Sequence, residues 1–301
     1  MSNMLRLLAR DRWLYLLLLP GLVYFILFKY WPMWGVLIAF KDFSPFLGFW
    51  DSEWIGFENF RIFFENPDFG RLLKNSLILA FLDIVFFFPA PILLALLLNE
   101  VRVNFYKKTI QTLIYVPHFM SWVIVASITY VFFTTNGGAV NAIVEHFTGD
   151  KINFLSSPDW FRPLIVGQVI WKEIGWSTII FLAALAGVNP ELYEAAIMDG
   201  AGRFRSIWHV TLPALRNVVV ILLILRLGNF LDQGFQQIYL MTNSLNRSVA
   251  DVFDTYVYYV GITQGAFSYS TAVGLFKGIV GLILIFGANY WAKRMGQGGL
   301  Y

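Results

Sequence analysis

The chain has 301 residues, 58% of them hydrophobic, 18% aromatic and only 14% charged, with a mean hydropathy of +0.63; this lies outside the range of water-soluble domains and points to a membrane protein. A net charge of +3 is too small to argue for a nucleic-acid partner. The absence of cysteine removes disulfides, thiolate metal sites and cysteine nucleophiles, and His118, His146 and His209 are too far apart in sequence to favour a metal site.

A membrane-spanning helix needs about 20 mostly apolar residues, and six runs of that kind predict an all-α integral membrane protein with about six spans. The first covers 13–31. Arg6, Arg10 and Arg12 precede it like the basic region of a signal peptide, but the run is long and aromatic and no small-x-small cleavage site follows, so the helix is expected to stay. Segment 32–40 is apolar too, yet Pro32 and its shortness predict a break or an interfacial piece rather than a further span. The second span is expected at 76–98, with Asp83, Pro89 and Pro91 inside it, and the third at 113–133, with Pro117. The fourth, 164–187, carries Trp171, Lys172, Glu173 and Trp176; the fifth, 214–230, holds Arg226 and continues into Asn229, Asp232 and Gln233; the sixth, 272–291, holds Lys277. There is no internal repeat and no separable soluble domain, so residues 1–301 read as a single membrane domain.

Basic residues near helix ends orient the spans. With the N-terminus in the cytoplasm, Arg102, Lys107, Lys108, Arg203, Arg205, Arg216, Lys293 and Arg294 all fall on the cytoplasmic side, whereas the opposite loops are longer yet hold fewer basic residues (Lys41, Arg61, Arg71, Lys74, Lys151, Arg162 and Arg247) and many acids such as Asp51, Glu53, Glu58, Glu65 and Asp68. Both termini are therefore expected to be cytoplasmic.

The loop between the fourth and fifth spans, 188–213, is polar yet patterned like structure. Asn189 followed by Pro190 is a helix start and Gly200 a terminator, predicting a short helix over 190–199. A second helical stretch is expected over 203–209, with Pro213 opening the next span. On the first helix Ala195 and Ala196 beside Glu194 would let another protein surface approach closely while one carboxylate offers a directed contact; a well-capped connector is the plainer reading.

Glu194-Ala195-Ala196, then Asp199-Gly200-Ala201, then Val210-Thr211-Leu212-Pro213 at this spacing resembles the EAA motif of ABC importer permeases. The resemblance extends over nearly the whole chain and is closest to type I carbohydrate-uptake permeases, MalF-like and in particular the lipoprotein-partnered polysaccharide branch. Trp54-Ile55-Gly56-Phe57-Glu58-Asn59-Phe60, Tyr115-Val116-Pro117-His118 and the segment from Tyr269 to Gly274 look like further patterns of that family. The resemblance implies a helical permease in a bacterial cytoplasmic membrane, pairing with a second homologous permease subunit, a cytoplasmic ABC ATPase dimer and an extracytoplasmic solute-binding lipoprotein. It implies that Glu194, Ala195, Ala196, Asp199 and Gly200 contact the ATPase, and that the solute is an oligosaccharide or polysaccharide fragment. The chain has no G-x-x-x-x-G-K-[ST] loop and no Gly-Lys pair, so ATP is expected to be used by partner subunits, with no cofactor bound here. Gly175-Trp176-Ser177 is not a nucleophile elbow, because Ile179 stands where glycine is needed.

Charges inside spans are costly and mark either a wet pathway or interhelical pairs. Lys29 lies near a helix end, where it can snorkel; Asp83, Lys172, Glu173, Arg226 and Lys277 lie deeper. Asn229, Gln233, Gln236 and Gln237 offer amides suited to hydroxyl-rich solutes, or else form a polar external loop, while Trp171 and Trp176 offer aromatic surface, or else anchor the membrane interface. An ion-gradient-driven transporter working through Asp83 or Glu173 is the leading alternative, and a membrane hydrolase a distant third.

Overall fold

The structure is a computed structural model that describes residues 10–296 and 299; Arg6 lies outside the described residues. The chain packs as two compact units, one running to Asn66 and including Tyr259–Leu275, the other comprising Pro67–Tyr258 and the segment from Phe276 onward.

In the first unit, helix α1 (Arg12–Phe40) runs for 29 residues. Segment 32–40 is not a break: the helix passes through a wide π turn at Ile26–Tyr30 into a 3-10 stretch at Trp31–Phe40. Pro32 falls in the first turn of that stretch, where a missing N–H is tolerated. A short antiparallel pair, β1 (Lys41–Asp42) and β2 (Glu53–Trp54), follows. Lys41 ties its loop by donating to the carbonyls of Phe49 (2.6 Å) and Ser52 (3.0 Å). Helix α2 (Glu58–Glu65) buries Asn59, whose amide donates to the carbonyls of Ala39 and Lys41, and Phe63, whose ring meets Tyr269 edge-on. The 54–60 and 269–274 patterns thus belong to one folded unit.

In the second unit, α3 (Phe69–Asn99) crosses a π turn at Asp83–Phe87. The expected third span is not one straight helix. It is α4 (Asn104–Phe119) and α5 (Trp122–Phe133), bent by 103° at a short break. Pro117 ends the α-helical part of α4 in a 3-10 turn, Met120 is extended, and the Ser121 hydroxyl caps α5 by accepting from the Ile124 N–H. Helix α6 (Ala139–Thr148) ends at Gly149 in the left-handed region.

Helix α7 (Pro158–Ala186) organises this unit. Its buried residues Phe161, Leu164, Ile165, Gln168, Lys172, Gly175, Thr178, Phe181 and Leu185 recur every three to four positions, one continuous stripe against the other helices. At one end Phe161, Leu164 and Ile165 pack with Leu79, Ala126, Ile238 and Met241; at the other Phe181 and Leu185 pack with Ala95, Leu96 and Leu215.

Helix α8 (Pro190–Met198) is the short loop helix, and α9 (Arg203–Gly228) follows. Contrary to the expected separate piece over 203–209, α9 is continuous, because a π turn at Ile207–Thr211 absorbs the turn ahead of Pro213. Helices α10 (Phe235–Met241) and α11 (Phe253–Val257) are short, and α12 (Phe267–Arg294) begins in the first unit and continues through the second. Among the described residues five helices are long and apolar enough to span a membrane, or six with α4 and α5 counted as one bent span.

Candidate functional site

The charges Asp83, Lys172, Glu173, Arg226 and Lys277 in the second unit each meet a group of opposite sign. Asp83 lies in the π turn of α3, and Arg226 on α9 donates to its carboxylate through Nε (2.6 Å) and a second guanidinium nitrogen. The guanidinium also lies over the Phe87 ring, 5.1 Å from its centroid. Glu173 on α7 bonds His118 (2.7 Å) and Lys172 (3.0 Å). Lys277 on α12 reaches both Asp232 (2.5 Å) and Asp254.

Of these groups Asp83, Glu173, Arg226 and Asp232 line a cavity of about 240 Å³, whose wall also includes Phe87, Trp122, Asn229, Gln233 and Gln237. The helix ends at Gly228 and resumes at Phe235, with Gly234 at φ +75°. Between them the irregular segment 229–234 is held by the Gln233 N–H donating to Asp254 (3.0 Å) and by the Gln233 amide donating to the Phe230 carbonyl (2.5 Å). Within a membrane protein such backbone is tolerated where it lines a cavity. A second cavity of about 230 Å³ shares Phe87, Arg226 and Asn229, so the Arg226 side chain stands between the two.

Of the residues singled out in the sequence, Asp83, Glu173, Asn229 and Gln233 come together here. Gln236 is exposed on α10 and its neighbour Gln237 lines the cavity instead, its amide donating to the Ile165 carbonyl and Gln168. Trp171 lines a separate apolar groove with Val125, Phe132 and Leu164. Trp176 stacks on His118. Arg226, Asp232 and Trp122 join the wall; the charges were visible in the sequence, but their convergence depends on the packing of α3, α7 and α9.

The loop helix α8 has its expected caps. The Asn189 side chain accepts from the Glu191 N–H (3.1 Å). Gly200, at φ +74°, closes the other end, where the Ala201 N–H reaches the Ala196 carbonyl (2.8 Å) and the Gly200 N–H the Ile197 carbonyl (2.9 Å); this pair of bonds requires the left-handed residue between them. Glu194, Ala195, Asp199 and Gly200 are exposed and Ala196 is half-buried. Ala195, Ala196 and Asp199 line a shallow groove with Leu192, Arg205 and His209, and the large apolar side chains Ile197, Met198 and Phe204 are 66%, 86% and 90% exposed beside it.

Long apolar helices around a charge-lined cavity, with a capped loop helix left exposed, define a helical membrane permease. Residues 87–297 match the family described as binding-protein-dependent transport system inner membrane component, and the chain belongs to that family. It is 69% identical to Protein LplB of Bacillus subtilis (strain 168), over 98% of this chain and 92% of that protein. It is 58% identical to the polygalacturonan/rhamnogalacturonan transport system permease protein YteP of the same organism, with the same coverage. A chain of a bacterial ABC transporter involved in the import of the acidic polysaccharide alginate superposes with a TM-score of 0.90 at 39% identity, covering 98% of this chain and 100% of that one. The same TM-score and identity hold for the alginate transporter in complex with an alginate pentasaccharide-bound periplasmic protein. The chain is thus a membrane permease subunit of a binding-protein-dependent ABC importer.

Proposed function

We propose that the chain forms half of an import pathway for oligosaccharides or polysaccharide fragments, with the cavity between α3, α7 and α9 as part of the solute route. The observation that carries this reading is the wall itself: amides of Asn229, Gln233 and Gln237 alternate with paired charges and the aromatic faces of Phe87 and Trp122. A sugar presents hydroxyl edges between apolar C–H faces, so such a wall offers contacts to both without a single tight anchor. The polysaccharide names carried by the permease relative and the structural neighbour agree with this chemistry.

In this reading the solute arrives from an extracytoplasmic binding lipoprotein, a second homologous permease completes the pathway, and ATP is hydrolysed by a cytoplasmic ATPase dimer. Glu194, Ala195, Ala196, Asp199 and Gly200 form the contact with that ATPase, supported by the groove and by the exposed Ile197, Met198 and Phe204, which need a protein cover in an aqueous compartment. The ion-gradient alternative gains nothing from the geometry, since Asp83 and Glu173 are both engaged by cationic side chains.

The test is the complete importer, assembled with its binding protein in lipid, with ATP hydrolysis measured against oligosaccharides, amino acids, short peptides and phosphate esters. Stimulation by oligosaccharides is expected; stimulation by peptides alone refutes the sugar assignment. Sugar stimulation unchanged in Asn229→Leu and Gln233→Leu variants keeps the assignment and discards this cavity as the solute site.

A further inference from the structure

We propose that His118 is a positioning residue of the pathway: it fixes the Glu173 carboxylate in the cavity wall and locks the elbow between α4 and α5. The transport consequence rests on the pathway reading above, whereas the elbow contact stands on geometry alone.

A 103° bend inside an apolar stretch interrupts the helical ladder, and the backbone groups it frees need new partners. One of them, the His118 carbonyl, accepts from Lys172 Nζ at 2.6 Å. The Lys172 side chain is only 7% exposed, and its ammonium also bonds Glu173 Oε1 at 3.0 Å and lies 5.3 Å from the centroid of the Trp122 ring. Since Trp122 is the first residue of α5, Lys172 touches both arms of the elbow.

His118 completes the lock from the α4 side. Its Nδ1 lies 2.7 Å from Glu173 Oε2. Against an ionised carboxylate, which can only accept, Nδ1 is the donor in this contact. The imidazole stacks on Trp176, centroids 4.4 Å apart and planes within 3°. Between the two contact points is Gly175, where any Cβ would overlap the Ile114 carbonyl, so α4 lies with its backbone directly on α7. One turn of α7 therefore holds the α4 side of the elbow.

The same carboxylate faces the cavity. Each Glu173 oxygen takes one donor from the protein, His118 on one and Lys172 on the other, and the remaining lone pairs are free to accept from solute hydroxyls. Lys172 bonds the Glu173 carboxylate, the His118 carbonyl at the elbow and the face of Trp122 on the far arm, which links the bend of this span to the chemistry of the wall.

The absence of native cysteine makes the test clean. Spin labels at Leu113→Cys and Val123→Cys, exposed positions on opposite arms, report the elbow in the complete importer in lipid. The parent should give one narrow distance. His118→Phe keeps a ring on Trp176 but removes the donor, and should broaden it, as should Glu173→Gln; His118→Asn, which restores a donor near Nδ1, should narrow it again. In parallel, His118→Phe should lower maximal solute-stimulated ATP hydrolysis about tenfold, the scale of one charge-assisted hydrogen bond, and leave the half-saturating concentration of loaded binding protein within about twofold. His118→Asn should recover the rate, which a loss of packing alone would not predict.

Unchanged distances in both His118→Phe and Glu173→Gln overturn the lock. Broadened distances with unaltered hydrolysis overturn the role in the pathway. If the parent shows no solute-stimulated hydrolysis, the import reading fails, and the distances alone decide the assignment of His118.

Discussion

At the scale of single residues, the spans retain charge by matching it. Lys277 shows how uneven such a match is. Its side chain is 11% exposed and bridges Asp254, 17% exposed, and Asp232, 59% exposed. A carboxylate near solvent loses little when its partner goes, whereas one enclosed by protein is left as an uncompensated charge. Lys277→Met should therefore destabilise the second unit by about 3 kcal/mol, and Asp232→Asn by less than about 1 kcal/mol, with Asp254→Asn between them. Thermal unfolding of the purified protein in one detergent checks the order, and equal losses for Lys277→Met and Asp232→Asn would show that Asp254 is hydrated. The Gln233 N–H shares Asp254 with Lys277, so the larger losses should also loosen the cavity segment 229–234.

At the scale of elements, helices approach where side chains are absent. A Cβ at Gly175 would overlap the Ile114 carbonyl, and one at Gly281 the Gly228 carbonyl, while at Gly167 nothing lies within 4 Å. Backbone cannot move aside like a flexible side chain, so Gly175→Ala should cost about 2 kcal/mol or prevent folding, and Gly167→Ala, mid-helix, should be neutral or slightly stabilising; yield of folded protein and its melting temperature distinguish them. The loop helix offers a different glycine. At φ +74°, Gly200→Val is strained whatever the space, and Glu194→Lys reverses an exposed charge. Both should lower ATPase binding and solute-stimulated hydrolysis without affecting membrane insertion, and normal association in both would remove α8 from the coupling contact. The caps of α8 were legible in sequence because Asn-Pro and Gly act locally. The elbow at Met120 and the π turns at Asp83–Phe87 and Ile207–Thr211 were not, because proline marks only where a helix is weakened, and the packing of α7 decides how far it bends.

At the scale of the whole molecule, the most apolar stretches of the five long helices found among the described residues are between 0 and 28% buried within the chain, so the chain itself leaves most of their surface uncovered. This explains which parts of the site were legible: runs of about 20 apolar residues announce themselves without any tertiary knowledge, and charges inside them mark either a pathway or interhelical pairs. Which charge meets which does not, since Asp83 and Arg226 are 143 positions apart and only the packing of α3 against α9 joins them. Orientation is the one global property that sequence addresses through bulk statistics instead of contacts. Basic residues clustered near helix ends resist translocation, and Lys107, Lys108, Arg203, Arg205 and Arg216 cluster on the side of the loop helix. The exposed Ile197, Met198 and Phe204 belong to the same loop face, the one proposed above as the ATPase contact. Asp150 and Arg205 are both exposed and lie on sides expected to be opposite. In a chain without cysteine, Asp150→Cys should react with a membrane-impermeant thiol reagent in intact cells, and Arg205→Cys only after the membrane is permeabilised. The reverse pattern overturns the cytoplasmic placement of both termini and, with it, the assignment of α8 to an ATPase.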